Sequence, residues 1–399
     1  MHSSRTSMNG TMIGIYDRCE EIADQWKDLE ASGAATPFQS HAFVSTLLET
    51  VGKAKGAVPR IVLVKDGSGK PQMILPLVLV ENGGMTTLTA PDFKVADYFA
   101  PVIDRGFAEA MTPSRFLGLW QMIEELVGPF DVVELPKMPA EIEGVRNPLL
   151  ALSTTIHEMA FATDLSEGFE SYQKSRSKNL LKYLGRRRRG LERRGELSYS
   201  PARSKQEACD IIARVVEFKS KRYRDTGVKD LFDEPAYAAF YTKLAANQWD
   251  GLAHMAAISF NGEPISMSFN IRRGDWICML LSAFDADRFP RESIGLLYLQ
   301  DTLAWCADNH VRLLDFTWGD EAYKFSWENH RIALHRARYA ATLRGRLHCS
   351  RINGIEWTRR RVKAALRTSP VMLENAKKLR KHINDAVARR GAKSGMADK

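Results

Sequence analysis

The side chains best suited to chemistry lie close together in the last third of the chain. Asp315 follows the stretch Val-Arg-Leu-Leu at 311–314 and is predicted to end a buried strand, where a carboxylate is costly unless it is hydrogen-bonded or functional. Asp315 or Glu321 can take the proton of an amine or hydroxyl nucleophile. Tyr323 or Lys324 can protonate a leaving group or stabilise an oxyanion. The simpler interpretation is a structural ion pair between Asp315 and Lys324.

A second candidate is an anion-binding turn before the helix predicted over residues 293–309. Gly295 lies near the start of that helix, and Ser293 is a suitable N-cap. Unpaired N–H groups at a helix N-terminus can hold a phosphate, and Arg288 and Arg291 add fixed positive charge. One glycine with two arginines also fits an ordinary capped helix.

Positive charge is concentrated in two segments. Residues 359–399 hold thirteen Lys and Arg against three Asp and Glu, so the rest of the chain is close to neutral although the net charge is +9. Residues 174–194 hold ten Lys and Arg, including four consecutive arginines at 186–189. Such runs can bind phosphates, RNA or anionic lipid, or form the solvated face of an amphipathic helix.

Composition excludes several classes of protein. The chain has 399 residues, 44% hydrophobic and 26% charged, which are ordinary values for a globular protein of two or three domains. No run of about 18 apolar residues predicts a membrane span, and the first residues lack a secretory pattern, so we expect a cytoplasmic protein, with peripheral attachment to the inner face of the membrane as an option. Five scattered cysteines form no C-x-x-C pair, and neither a disulfide framework nor a metal cofactor is expected.

Hydrophobic periodicity predicts an α/β (α+β) protein in which one order of elements occurs twice. Each half reads helix, helix, hairpin, helix, strand, and the second half contains strands predicted over residues 252–261, 263–272 and 275–284. A closing strand is expected at residues 157–162, and a helical tail begins near residue 355. The expected domains are residues 1–165, 166–350 and 351–399.

Several stretches resemble one family, the GNAT-type acyltransferases of the CelD/cellulose-biosynthesis-like group, which are relatives of the FemAB peptidoglycan transferases. The similarity covers roughly residues 26–347, and the ending Gly-Asp-Glu-x-Tyr-Lys is its most specific part. The matching stretches are Thr-Pro-Phe-Gln-Ser at 36–40, Ile-Leu-Pro-Leu at 74–77, Ala-Asp-Tyr at 96–98, Ser-Arg-Ser-Lys-Asn-Leu at 175–180, Gly-Glu-Pro-Ile at 262–265, Ser-Ile-Gly-Leu-Leu at 293–297, Asp-Phe at 315–316 and Gly-Asp-Glu-Ala-Tyr-Lys at 319–324.

The resemblance implies tandem GNAT-like domains, each a mixed, mostly antiparallel sheet flanked by helices, followed by a basic helical C-terminal tail. Transfer is expected in the second domain, with residues 263–272 as a splayed strand that presents backbone amides to a thioester. The phosphates of acetyl-CoA or another acyl-CoA would lie at the following turn. The Gln/Arg-x-x-Gly-x-Gly signature of most GNAT proteins is absent. The residues implied in donor binding are Arg288, Arg291, Ser293, Ile294, Gly295 and Leu296.

The expected function is transfer of an acyl group to an amine or sugar acceptor, with a role near polysaccharide or cell-envelope synthesis. Asp315, Glu321, Tyr323 and Lys324 are the expected catalytic residues. Two alternatives stay open: a FemAB-like aminoacyltransferase that uses aminoacyl-tRNA, and a non-catalytic GNAT-fold scaffold with a basic tail. RNA or an anionic membrane is a further partner expected at residues 174–194 and 359–399.

Overall fold

The computed structural model describes residues 5–8, 10–152 and 154–367. The strands are β1 Arg5–Met8, β2 Thr11–Tyr16, β3 Val58–Lys65, β4 Pro71–Asn82, β5 Met85–Thr89, β6 Val102–Ile103, β7 Val132–Pro139, β8 Glu141–Ile142, β9 Val145–Arg146, β10 Thr154–Asp164, β11 Leu197–Pro201, β12 Ala253–Phe260, β13 Glu263–Arg273, β14 Trp276–Phe284, β15 Leu313–Trp318 and β16 His330–Ala340. The helices are α1 Ala23–Ser32, α2 His41–Leu47, α3 Arg105–Glu109, α4 Pro113–Leu126, α5 Phe169–Ser175, α6 Lys178–Glu192, α7 Lys205–Thr226, α8 Pro235–Gln248, α9 Ile294–Asp308, α10 Lys324–Trp327 and α11 Leu343–Arg367.

One continuous sheet runs through the protein. Its strand order is β1-β2-β3-β4-β5-β7-β16-β10-β15-β14-β13-β12-β11, and β6 pairs with β4. Most neighbours are antiparallel, but β5 pairs with β7 and β14 pairs with β15 in parallel. The fold is therefore a mixed sheet flanked by helices, which confirms the predicted fold class.

The same arrangement of elements occurs twice in this sheet. The first repeat, residues 11–139, consists of β2, α1, α2, the meander β3–β5, α4 and the parallel strand β7. The second repeat, residues 197–318, has the same order in β11, α7, α8, the meander β12–β14, α9 and β15. Each step from β7 through β16 and β10 to β15 is antiparallel, so β15 runs opposite to β7. The two repeats therefore turn the carboxyl ends of their parallel strands to opposite edges of the sheet.

Helices cover both faces of the sheet, and this explains the apolar runs in its central strands. In β4, Met73 to Val78 are almost entirely buried, because alternate side chains enter different cores, one beneath α1 and one beneath α4. In the second repeat α7 and α8 cover one face, while α6 and α9 cover the other. Phe43 of α2 meets Phe240 of α8 edge to face at 5.3 Å, so the repeats also share a core.

The strand predicted at residues 157–162 exists but does not close the first domain. As β10 it pairs with β15 and β16, which follow it by more than 140 residues. Strand β16 was not predicted, and it joins β7 of the first repeat to β10. The predicted tail helix begins earlier, at Leu343, and residues 368–399 lie outside the described residues. No described helix is both long and apolar enough to cross a membrane.

The close packing of one glycine in α11 leads to a prediction about stability. A Cβ added at Gly345 would overlap the backbone carbonyl oxygen of Asp131, whereas one added at Gly354 of the same helix meets no atom within 4 Å. We expect Gly345→Ala to lower the free energy of unfolding by about 2 kcal/mol, as overpacking does. Gly354→Ala should raise it by up to about 1 kcal/mol, because alanine is the better helix former. Urea unfolding of both variants tests this, and equal effects would contradict the tight packing of α11.

Candidate active site

A gap opens between β14 and β15 in the second repeat. The two strands pair in parallel over three residues, ending with Cys278 opposite Asp315. Beyond this point β14 pairs with β13 alone, while β15 pairs with β10. Leu280 is the extra residue of a bulge in β14, since Met279 pairs with Asn270 and Leu281 with Phe269. Bulges often occur beside active sites, because they bend one strand away from its neighbour.

The splayed strand is therefore β14, and the assignment of residues 263–272 to this role was wrong. That segment is part of β13, which pairs along its length with β12 on one side and β14 on the other. Its backbone groups are engaged in two ladders and are not free to hold a ligand. The gap is located by the short parallel pairing of β14 with β15, which the sequence does not display.

The first turn of α9 lies against the end of β14. A Cβ at Gly295 would lie 3.2 Å from the Phe284 ring, which shows how closely the helix approaches the strand. Ser293 precedes the helix in a left-handed conformation (φ +56°), and its side chain does not cap it. Its hydroxyl instead forms a 2.7 Å hydrogen bond with the Tyr183 hydroxyl. The amides of Leu296 and Leu297 bond to the Ser293 carbonyl.

Other predicted donor-binding residues lie at or near this turn. Ile294, the first helical residue, is buried, and Gly295 and Leu296 are half-buried. Arg291 is exposed, and its guanidinium has no ion pair with a described residue. Arg288 forms a 2.7 Å ion pair with Glu263, and its role in donor binding stays a prediction.

The arginine-rich helix α6 packs beside the same turn. Arg187 stacks on the Tyr183 ring with its guanidinium carbon 4.9 Å from the centroid, and its buried Nε has no described partner. Hydrogen bonds from Ser293 and Arg187 lower the pKa of the Tyr183 hydroxyl. Arg186 and Arg189 are exposed on the outer side of the helix. Helix α6 thus presents one arginine to the turn and a basic face to solvent.

Asp315 is completely buried and fully hydrogen-bonded. Its Oδ2 accepts hydrogen bonds from the Tyr98 hydroxyl at 2.7 Å and the Trp276 indole at 3.1 Å, and its Oδ1 accepts from the Thr317 amide at 2.7 Å. Burial raises the pKa of Asp315 to about 6, although these donors oppose the shift. Tyr98 belongs to the first repeat, so this carboxylate ties the two repeats together beside the gap.

Lys324 does not pair with Asp315, so the simpler interpretation of an ion pair between them is wrong. The buried Lys324 ammonium donates to the carbonyls of Thr317 at 3.1 Å and Trp318 at 2.7 Å and pairs with Glu321 at 3.0 Å. Thr317 has a positive φ of +61°, which is unusual for a β-branched residue. Lys324 therefore holds the chain as it leaves β15 and orients the exposed Glu321 carboxylate.

Tyr323 completes the predicted group and lies half-buried beside Phe316. Burial raises the pKa of its hydroxyl well above the usual range, with Glu321 adding to the shift and Arg222 opposing it. Arg222 lies 5.4 Å from the centroid of the Phe284 ring at the end of β14. The hydroxyl therefore keeps its proton at neutral pH.

The structure adds residues that no sequence motif indicated. Lys219 and Arg222 of α7 line a cavity of about 230 Å³ at the end of β14, together with Phe284. Burial and the neighbouring Arg222 lower the pKa of Lys219, while Glu321 raises it. A lysine and an arginine three positions apart on an amphipathic helix give no signal in a sequence. Tyr98 lay in a matching stretch but had been given no role.

The arrangement can bind an anion and position a carbonyl beside it. Strand backbone groups in the gap lack a partner strand, and the first turn of α9 and Arg187 carry N–H donors of the kind that bind phosphate. Glu321 and Tyr323 are of the residue types that serve as a base and an acid. In the described part of the chain, no group of three or more His, Cys, Asp or Glu side chains could hold a metal ion.

Comparison with known proteins agrees with this geometry. Residues 178–325 match the model of a family described as "Acetyltransferase (GNAT) domain". This match runs from α6 through the gap to Tyr323, so the second repeat is similar in sequence to GNAT acetyltransferase domains. No curated protein matches the chain.

Two solved structures share the fold over most of this chain. The crystal structure of FemX has a TM-score of 0.57 and 10% identity and covers 84% of this chain and 97% of that one. A conserved protein of unknown function from Bacteroides thetaiotaomicron VPI-5482 has a TM-score of 0.50 and 8% identity, with coverages of 82% and 99%. A tandem GNAT protein from the clavulanic acid biosynthesis pathway has a TM-score of 0.42 and 12% identity, with coverages of 83% and 99%.

The raised pKa of Asp315 predicts a pH dependence. Between pH 4 and 6 the native state binds a proton that the unfolded state, with a pKa near 3.8, has released, so stability falls as the pH rises. The shift corresponds to about 3 kcal/mol. We expect the stability of the wild type relative to Asp315→Asn to fall by about this amount from pH 4 to pH 7. Urea unfolding at four pH values measures it, and a difference that grows with pH would contradict the assignment.

Proposed function

We propose that the chain is an N-acyltransferase that moves an acyl group from acyl-CoA, acetyl-CoA being the simplest donor, to an amine or, less readily, a sugar hydroxyl. The observation that carries the proposal is the gap where β14 leaves β15, with the first turn of α9 beside it. A thioester in this gap would accept hydrogen bonds from the backbone of β14. Its phosphates would lie at the turn of α9.

The donor phosphates would be held from two sides. The first turn of α9, which begins at Ile294, would offer backbone amides from one side. From the other side comes Arg187 of α6, which stacks on Tyr183, and the Tyr183 hydroxyl bonds to Ser293. Arg291 is exposed nearby and adds charge. Charge-assisted hydrogen bonds from a guanidinium to phosphate are stronger than neutral ones, so Arg187 should contribute measurably.

Transfer requires one proton to leave the nucleophile and one to reach the sulfur. The amine nitrogen attacks the thioester carbon, Glu321 accepts the amine proton, and the carbon–sulfur bond breaks. Tyr323, whose hydroxyl is protonated at neutral pH, would give its proton to the departing thiolate. Burial raises the pKa of this hydroxyl and so opposes the transfer. Asp315 and Lys324 are buried and fully bonded, and we assign them to positioning the end of β15.

A second candidate is an aminoacyltransferase that takes its acyl group from aminoacyl-tRNA. The exposed Arg186 and Arg189 favour it, because they form a basic face next to the proposed donor site. RNase treatment of the preparation would abolish transfer from an RNA donor and leave transfer from acyl-CoA intact. With the acyl-CoA-dependent transferase we also propose kinship with CelD-like proteins, a role in polysaccharide or cell-envelope synthesis, and contact with an anionic membrane.

Two arginines of α6 provide a matched test of the donor. Arg187→Ala should weaken acetyl-CoA binding about tenfold, or about 1.4 kcal/mol, because it removes a phosphate contact. Arg189→Ala, on the exposed side of the same helix, should leave binding unchanged. Isothermal calorimetry with acetyl-CoA and longer acyl-CoAs measures both. An equal loss of affinity in the two variants would mean that Arg187 acts only through its net charge. If no acyl-CoA of the series binds, the acyl-CoA proposal is refuted.

The proton acceptor is tested by Glu321→Gln. We expect kcat to fall roughly a hundredfold, the usual contribution of a general base, with little change in the KM for acyl-CoA. Asp320→Asn, on the neighbouring carboxylate, serves as the control and should keep most of the activity. Steady-state rates with a small amine series measure the effect. A variant as active as the wild type would exclude Glu321 as the base.

A further inference from the structure

A cavity of about 670 Å³ lies between the two repeats, away from the proposed transfer site. Helices α1 and α2 of the first repeat form one wall, and α8 with the β13–β14 turn of the second repeat forms the other. The turn precedes Trp276, whereas the gap lies beyond Cys278 and opens toward Phe284, at the other end of β14. Eight residue steps separate the ends of this strand, so the two places are roughly 26 Å apart.

The cavity lies at the edge of the sheet where β5 and β7, the parallel strands of the first repeat, have their carboxyl ends. Ala34 bridges to Ile103, and Ile103 pairs with Met73 at the start of β4, which lies at the same edge as the ends of β5 and β7. In open α/β sheets, ligands bind outside the carboxyl ends of parallel strands. The cavity therefore lies at the carboxyl ends of the parallel strands of the first repeat, as the proposed transfer site does in the second repeat.

The lining of the cavity carries an excess of positive charge. Its four cations, Lys27, Lys243, Arg272 and Arg273, outnumber the two carboxylates of Glu30 and Glu49. His41 also lines it, but burial lowers the pKa of its imidazole and leaves the ring neutral at pH 7. Its buried Nε2 has no described hydrogen-bond partner.

Two of these cations are not neutralised by neighbouring groups. Lys243 pairs with Glu49, and Arg273 pairs with Glu143 outside the cavity. Arg272 donates only from Nε, to the Gly274 carbonyl at 2.8 Å, which leaves its two terminal nitrogens without a described partner. Lys27 has no hydrogen bond or ion pair with a described residue. One cation from each repeat therefore faces the cavity unpaired.

We propose that this cavity is a second ligand site, which binds a small molecule carrying at least two negative charges on phosphate or carboxylate groups. Arg272 would engage the anion through its planar guanidinium, and Lys27 would add a second charge across the cavity. Ser45, Asn247 and Gln248 offer further polar contacts. The volume is within the range of small-molecule sites. Because the cavity exists only in the folded protein, ligand binding stabilises the folded state.

Calorimetry on the full chain tests the site with two probes, inorganic pyrophosphate and citrate. At least one should bind, and the more tightly bound probe indicates whether phosphate or carboxylate is the natural group. Arg272→Gln should weaken binding at least tenfold, and Ala42→Trp should weaken it by filling the cavity without changing charge. Lys27→Ala, which removes an exposed cation of the cavity, should also weaken binding and replaces either variant if that variant fails to fold. Lys53→Ala, an exposed lysine just after α2 that does not line the cavity, is the matched control.

The two sites are told apart by the same variants. Pyrophosphate bound at the first turn of α9 would be insensitive to Arg272→Gln and Ala42→Trp, and both variants should bind acetyl-CoA as the wild type does. If neither probe binds, or if binding is unchanged in Arg272→Gln and Ala42→Trp, the second site is overturned. If the wild type does not bind acetyl-CoA, the proposed function is refuted, but binding of pyrophosphate or citrate in the cavity still supports the second site.

Discussion

The buried carboxylate of Asp315 imposes the constraint on which the surrounding structure depends. An ionised group without access to water must receive hydrogen bonds, and Asp315 receives them from a tyrosine of the first repeat, an indole of β14 and the backbone at the end of β15. These three donors fix the junction of the repeats, the last paired position of the parallel strands and the turn that follows. Lys324 extends the arrangement by holding the carbonyls of Thr317 and Trp318. The gap that follows in the sheet is thus framed by groups that cannot move independently.

The strained backbone beside this carboxylate is supported from both repeats. Thr317 and Lys137 each have a positive φ, and the Lys137 ammonium lies 4.8 Å from the centroid of the Trp318 ring. Lys137 also pairs with Asp92 at 2.9 Å and Asp97 at 3.4 Å, and burial raises the pKa of Asp97. Strained conformations of this kind persist only where the surrounding contacts over-determine them, and they are common at functional sites. The first repeat is therefore part of the framework of the proposed site as well as its neighbour in the sheet.

Local signals were sufficient for most elements and insufficient for the site. The meander of the second repeat was predicted because apolar strands flank the Asn261-Gly262 turn, and both halves showed the same order of elements. Strand β16 was missed because its half-buried arginines are neutralised by partners outside the strand, as Arg338 is by Glu134 and Glu356. The bond between Tyr98 and Asp315 joins residues 217 positions apart, and the gap depends on a pairing between strands that are separated by a helix. Such features arise from long-range topology, which periodicity and motifs do not encode.

The position of β16 also constrains the order in which the protein can fold. This strand is the last in the part of the chain that the structure describes, yet it lies in the middle of the sheet, between β7 and β10. Until it is in place, one side of β7 presents unpaired N–H and C=O groups, and β10 lacks its neighbour on that side. The ion pair of Glu134 and Arg338 closes a loop of 204 residues, and contacts of this separation form slowly. During synthesis the first repeat must therefore wait, with an open edge, for nearly the whole chain to emerge. A protein built in this way is most vulnerable to mispairing before it leaves the ribosome.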